Sequence, residues 1–318
     1  VQRRQALAAL GLLAPGWAGL NAAPVPPVHI LVGYSAGGAV DTIARLLAAP
    51  LQRALGQPVV VDNRTGLGGN LATKALTESP ADGNWLMLAT NALAANHSLY
   101  KPTPYAMDSI VPVSLVGRVP VALAVPSGSP HANLAAFLKH AKAKPKALHA
   151  GSPGNGSTPH LAMELFERAA GIRLRHIAYK GGPPAIADTI EGHVDLLAVN
   201  ALELLPHVQA GRLRVLAVLS AQRSPVFPNA PTVAESGFPG FEASVWYGLV
   251  APKGLPTPTL DRLHRAVQDA LSTPEVRERM RQAGGDTTPG ARAAFDTLLA
   301  TETQRYARLI ADAGIRLD

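Results

Sequence analysis

Two glycine-rich loops carry most of the chemistry this sequence offers. The first, Gly33-Tyr34-Ser35-Ala36-Gly37-Gly38, follows the short apolar run His29-Ile30-Leu31-Val32 and opens a helical pattern in which Asp41 falls in the first turn. A strand, a small-residue turn and a helix start together aim free backbone N–H groups at an anion. The second loop, Gly151-Ser152-Pro153-Gly154-Asn155-Gly156-Ser157-Thr158, adds neutral hydroxyl and amide groups from Ser152, Asn155, Ser157 and Thr158. Neither loop carries the lysine of a phosphate-binding P-loop, and the first lacks the glycine order of a dinucleotide site. What the pair can do is hold a ligand between two helix N-termini.

Groups for covalent or metal chemistry are not arranged for it. Ser152 lies in Gly-Ser-Pro-Gly, which is not a nucleophile elbow. His160, His176 and His193 fall on separate segments without metal-ligand spacing. Lys180 closes a strand, where an anion-facing or solvated role is favoured over a Schiff base. Asp195 can cap a turn or accept hydrogen bonds in a cleft. Trp246-Tyr247 reads as core packing ahead of ligand stacking. With no cysteine in the chain, thiolate nucleophiles, disulfides and thiolate metal sites are excluded. The expectation is a binding protein without enzymatic activity, metal or cofactor.

The elements that position these loops read as α/β. Residues 29–33, 59–61 and 85–89 are apolar strands, separated by helical patterns over 40–55 and 71–78. This βαβαβ order implies a mostly parallel sheet. A second series follows: strands near 148–150, 176–179, 194–199 and 213–219, with helices over 133–143, 159–170, 181–191 and 203–210. After a proline-rich stretch, residues 245–251 form a strand. Helices over 258–272, 274–283 and 292–313 then lack strands of their own. They are expected to pack on the first sheet, making that domain discontinuous, with chain crossings near 119–125 and 244–248.

Length and charge narrow the class. A chain of 318 residues, 47% apolar, supports two domains with their own cores. The net charge of +7 is scattered, without a run of five basic residues, so it forms no nucleic-acid stripe. It suits an anion-attracting field. Residues 1–23 read as an export signal: Arg3 and Arg4, an uncharged apolar stretch over 6–20, then Asn21-Ala22-Ala23. No later segment is apolar and long enough to span a bilayer.

In order along the chain, these segments resemble the Bug family, the TctC-like periplasmic receptors of tripartite tricarboxylate transporters. The resemblance rests on Gly33-Tyr34-Ser35-Ala36-Gly37-Gly38 with Asp41 and Ala44-Arg45, then Asp62-Asn63-Arg64-Thr65-Gly66-Leu67-Gly68-Gly69-Asn70 and Pro80-Ala81-Asp82-Gly83. It continues through Gly151–Ser157, Tyr179-Lys180-Gly181-Gly182, Gly192-His193-Val194-Asp195, Pro231-Thr232-Val233-Ala234-Glu235 and Trp246-Tyr247-Gly248. It covers nearly the whole chain beyond the export signal.

The resemblance implies a type II periplasmic-binding-protein fold: two α/β domains, a central ligand cleft and two crossing strands. The limits would be 24–122 with 245–318 for the first domain and 123–244 for the second. It implies a small carboxylate ligand, mono- or dicarboxylate, held largely by backbone groups near the first loop. The site residues carried over are Tyr34, Ser35, Ala36, Gly38, Asp41, Thr90 and Asn91 from the first domain. From the second they are Ser152, Asn155, Thr158, Tyr179, Lys180 and Asp195. A monomer delivering ligand to transporter subunits in the periplasm is expected. A sensory receptor, or less readily an enzyme on the same scaffold, is the alternative. Two positions depart from the family pattern. Ser35 replaces a common proline, and Asn200-Ala201 replaces a common acidic residue, which removes a partner for a ligand ammonium.

Overall fold

A computed structural model describes residues 25–315, so the proposed export signal lies outside the described residues. The first half-sheet begins with β1 (Val28–Val32), β2 (Val59–Asn63) and β3 (Trp85–Thr90), parallel in the order β2-β1-β3. The helix α1 (Ala39–Leu55) connects β1 to β2, and α2 (Asn70–Thr77) connects β2 to β3. Ile43, Ala44, Leu47 and Leu51 form the buried stripe of α1 against the sheet. Its far end stops at Gly56, which takes the left-handed conformation that a residue with a side chain would resist.

A 17-residue strand, β4 (Ile110–Pro126), joins the two halves of the molecule. Residues 110–120 of β4 pair antiparallel with β9 (Ser244–Pro252), which also pairs with β3. From Val121 onward β4 pairs with β7 (Leu196–Asn200) and β8 (Leu213–Val218). The second half-sheet is completed by β5 (His149–Ser152), parallel to both β7 and β6 (Arg175–Ala178). Its helices are α4 (Leu134–Ala143), α5 (Thr158–Ala170), α6 (Gly182–Ile190) and α7 (Ala201–Gln209).

The C-terminal helices return to the first half. The amphipathic α8 (Thr257–Ser272) packs on α1 and β4, followed by α9 (Pro274–Gln282). The short β10 (Asp286–Thr287) pairs with β4, and α10 (Arg292–Ala313) lies against β4 and α3 (Asn91–Leu99). The helix α3 has no counterpart in the sequence reading. Asn91, Ala92, Leu93, Ala94, Ala95 and Asn96 are all buried, so it has no polar face and no amphipathic period to read. Among the described residues no helix is long and apolar enough to cross a membrane.

Candidate functional site

The two glycine loops meet face to face. They lie at the C-terminal ends of β1 and β5, where parallel α/β sheets expose helix N-termini. The halves touch across the gap: Ser35 N–H donates to Lys180 O at 3.1 Å, and Tyr100 Oη donates to Asn155 O at 2.9 Å. Close approach here requires glycine, as at Gly68 and Gly181. A Cβ on Gly68 would strike the Asn155 carbonyl, and one on Gly181 would overlap the Ser35 hydroxyl. Both also have positive φ.

A small cavity of about 20 Å³ sits between the starts of α1 and α5. That is room for about one water-sized group. From the first half, Tyr34, Gly38, Ala39, Val40 and Thr90 line it. The second half supplies Pro153, Ser157, Thr158, Gly182, Asn200 and Glu203, and β9 adds Val245 and Tyr247. Three side-chain atoms here are buried without a hydrogen-bond partner: Thr158 Oγ1, Asn200 Oδ1 and Tyr247 Oη. A buried polar group normally has a partner, and leaving one unpaired costs about 1–3 kcal/mol. Three such atoms on one cavity mark a place shaped for a polar guest.

Tyr34, Gly38, Thr90 and Thr158, expected from sequence, all reach this cavity. Tyr34 Oη donates to Gly68 O at 3.0 Å, and Thr90 caps α3 by accepting from Ala92 N–H. Ser35 flanks the cavity, its hydroxyl buried against Gly181. The remaining candidates stand elsewhere. Ala36 is exposed at the loop tip. Asp41 braces the loop from behind, accepting from Gly37 N–H and from Arg45 Nε, both at 2.9 Å. Burial pushes its carboxyl up, but Arg45, the Gly37 N–H and Asn63 outweigh that and hold it below the ordinary value.

Asn91 is a brace on the far side of the crossing. Its Oδ1 accepts from Trp246 N–H at 2.9 Å, and its Nδ2 faces Glu302 and Tyr306. It lines a separate polar cavity of about 220 Å³ with Arg118, Glu302, Arg305 and Tyr306. The Asn155 carbonyl serves the contact with Tyr100. Tyr179 Oη donates to Asp188 at 2.6 Å, and the Lys180 side chain is exposed. Asp195 accepts from His149 N–H at 2.8 Å, at the end of β5 opposite the loops. Strand direction explains this: Asp195 precedes β7, whereas the cavity lies beyond its last residue.

Ser152 and His176 do come together, with Oγ and Nε2 at 2.7 Å. Ser152 is wholly buried, and its hydroxyl also accepts from Gly154 N–H. The pair pins the second loop to β6. Its imidazole stacks on His160, ring centroids 4.1 Å apart, and Gly156 N–H donates to His160 Nδ1. Burial pulls His176 down to about 4, and burial with the charge of His176 pulls His160 down to about 3. These rings stay neutral in the folded protein, while in the unfolded chain they protonate below about pH 6.5. Their contribution is therefore complete above that pH and is lost as pH falls toward 4. Glu167, which burial pushes up to about 7, and Glu203, also raised by burial, act in the opposite direction over this window, so the histidines show by difference: His160→Gln should reduce the gain in urea stability from pH 5 to pH 7 by about 2 kcal/mol relative to wild type. The same pH dependence in His160→Gln and wild type would contradict the His160 shift. Among the described residues, Asp188, Glu191 and His193 could approach one metal ion, but all three lie toward the surface and Asp188 already holds Tyr179.

Two residues at the cavity escape the sequence reading as binding groups. Tyr247 follows Trp246 on β9, and strand alternation sends them to opposite faces. Trp246 packs edge-on against Phe295, with ring centroids 5.5 Å apart, while Tyr247 turns into the cleft. Burial, with the charges of Glu203 and Tyr34, raises its phenol well above the ordinary value. Glu203 carries the acidic group that Asn200 lacks. Asn200 and Glu203 form a capping box at the start of α7, with Asn200 N–H and Nδ2 donating to Glu203 Oε2 at 3.3 and 2.9 Å. The Asn-x-x-Glu spacing was the available signal. The neutral wall expected at Asn200-Ala201 is thus corrected, because a carboxyl reaches the cavity three residues later. Burial raises its pKa, outweighing the donors from Asn200 and Ala39.

With this geometry in place, comparison with known proteins is decisive. Residues 43–315 match the family model described as the tripartite tricarboxylate transporter family receptor. The chain belongs to that receptor family. Its members are solute-binding receptors and not enzymes. Protein BugT of Bordetella pertussis is 38% identical over 317 residues, covering 98% of this chain and 96% of its own. The periplasmic binding protein BugD has a solved structure that superposes with a TM-score of 0.88 at 31% identity, covering 92% of this receptor and 99% of its own chain. Rpa4515 of R. palustris, solved with adipate, gives the same TM-score at 33% identity and the same coverage. The receptor therefore has the two-domain periplasmic-binding-protein fold read from its sequence.

Proposed function

We propose that this receptor closes on a small organic mono- or dicarboxylate and presents the closed form to a tripartite tricarboxylate-type transporter in the periplasm. The observation that carries the reading is the convergence of two buried, unpaired hydroxyls, Thr158 Oγ1 and Tyr247 Oη, between two helix N-termini. Hydroxyl donors and helix-start N–H groups suit a carboxylate. The adipate bound to Rpa4515 supports the ligand class.

Residues 24–122 with 245–318 form one lobe in this reading, and 123–244 the other. The change of partners along β4 at Val121 supports that division. Residues 1–23 direct export. The ligand would touch both lobes and so favour the closed arrangement by its differential contacts. The protein acts as a monomer.

A thermal-shift screen of the chain lacking residues 1–23 tests the ligand class, using protein unfolded and refolded to strip any carried-over ligand. An organic acid at a hundred times its dissociation constant should stabilise by about 2.7 kcal/mol, seen as a raised Tm. Shifts confined to one class of carboxylate would name the substrate. Shifts with amines or sugars and none with acids would overturn the reading.

A further inference from the structure

The helix α1 starts without a side-chain cap of its own. Gly38 stands at the N-cap position and offers none. Gly37 N–H is taken by Asp41, and Gly38 N–H by Ser35 O. Glu203 reaches the start of α1 from α7 in the other half of the molecule: its Oε1 lies 3.3 Å from where a Cβ on Gly38 would stand, with the Ala39 N–H close enough to lower its pKa. Glu203 is 8% exposed, and its geometry is fixed from behind. Oε2 takes both Asn200 donors, leaving Oε1 to project toward the start of α1. A Cβ built on Gly38 would stand 3.3 Å from Oε1, and one on Gly182 would overlap it. The carboxyl thus fills a slot that glycine on both sides keeps open. The unpaired Thr158, Asn200 and Tyr247 atoms, each on a residue more than nine-tenths buried, line the same space.

We propose that Glu203 is a tethered carboxylate that occupies the anion position at the start of α1, holds the two halves together, and must be displaced by a ligand carboxylate that takes the same N–H groups. Glu203 is then a specificity-determining residue of the cleft. Only an acid whose other contacts outweigh the loss of this internal contact can bind, so propionate, with little beyond its carboxylate to offer, cannot. The step from latch to specificity rests on the carboxylate-receptor reading. The latch does not.

The experiment uses the protein lacking residues 1–23, with Glu203→Ala, and needs no natural ligand. Small-angle scattering of ligand-free protein should give a larger radius of gyration for E203A than for the wild type. Propionate at 50 mM should return E203A to the wild-type radius and raise its Tm by several degrees. Wild-type protein should not respond, and sodium chloride at equal concentration should not substitute. An unchanged radius in E203A, or an equal response to propionate in both proteins, overturns the proposal.

Should E203A fail to fold, Glu203→Gln carries the test. Its amide NH2 must face one of the donors that the carboxyl now accepts, so it too should enlarge the radius. A wild-type radius in E203Q would overturn the proposal. A null result in the organic-acid screen would instead count against the receptor reading and leave the scattering comparison standing.

Discussion

Gly38→Val is expected to weaken binding of the ligand found by screening by about 5- to 150-fold, the equivalent of 1–3 kcal/mol of overpacking. Gly38 has φ −75° and ψ 171°, extended backbone open to any residue. The substitution therefore meets no backbone-conformation penalty of its own. A Cβ there stands 3.2 Å from Ser35 O, 3.3 Å from Glu203 Oε1 and 3.6 Å from Pro183 Cδ. The two methyls of valine extend further into a cavity with room for about one water-sized group. Stability in urea should fall by about 1–2 kcal/mol, because valine is a poorer N-cap than glycine and its Cβ crowds Ser35 O. Calorimetric titration and urea melts on the same samples separate the two effects. Unchanged affinity would mean the ligand binds elsewhere.

Neighbouring residues on β9 should divide stability from binding. Trp246→Ala removes a fully buried indole packed on Phe295 and should cost about 3–5 kcal/mol in urea melts. Tyr247→Phe should change stability by less than about 1 kcal/mol, since the hydroxyl it deletes has no partner in the folded protein. If that hydroxyl meets a ligand carboxylate, its loss removes about 1.5–3 kcal/mol of binding, or roughly 10- to 150-fold in Kd. A Tyr247→Phe protein that binds like wild type while melting several kcal/mol lower would reverse these assignments.

The contrast between these two residues also shows how far the sequence could be read. A strand at 245–251 was legible, and alternation follows from it. Which face met the core depended on Phe295, far along the chain on α10, against which Trp246 packs. The glycine loops and their helices were legible because strand, small residues and apolar stripe follow one another directly. The helix α3 was not, because its first six residues are all buried and leave no period to detect. Side-chain destinations were the least accessible. Asn91 follows Thr90 directly, yet Thr90 faces the cleft and Asn91 turns away to hold Trp246 and Tyr306. Asp195 lies at the wrong edge of the sheet for a cleft residue, which strand direction alone would have shown. Glu203 was hidden behind a correct observation about Asn200. The position after β7 is neutral, and the capping box returns an acid to the cleft one helical turn later.

The arrangement of the cleft places unpaired acceptor and donor atoms around a position filled by the protein's own carboxyl. A receptor built this way resists weak ligands by internal competition. The positive charge of the chain as a whole acts earlier, by concentrating anions near the surface.

The most direct test of the central claim is calorimetric titration of refolded, ligand-stripped protein with the organic acids that raise its Tm, run beside Gly38→Val. The account predicts one site per chain for a mono- or dicarboxylate, with affinity lost or sharply reduced in the variant. No binding of any acid to the wild type, or equal binding to both proteins, would contradict it.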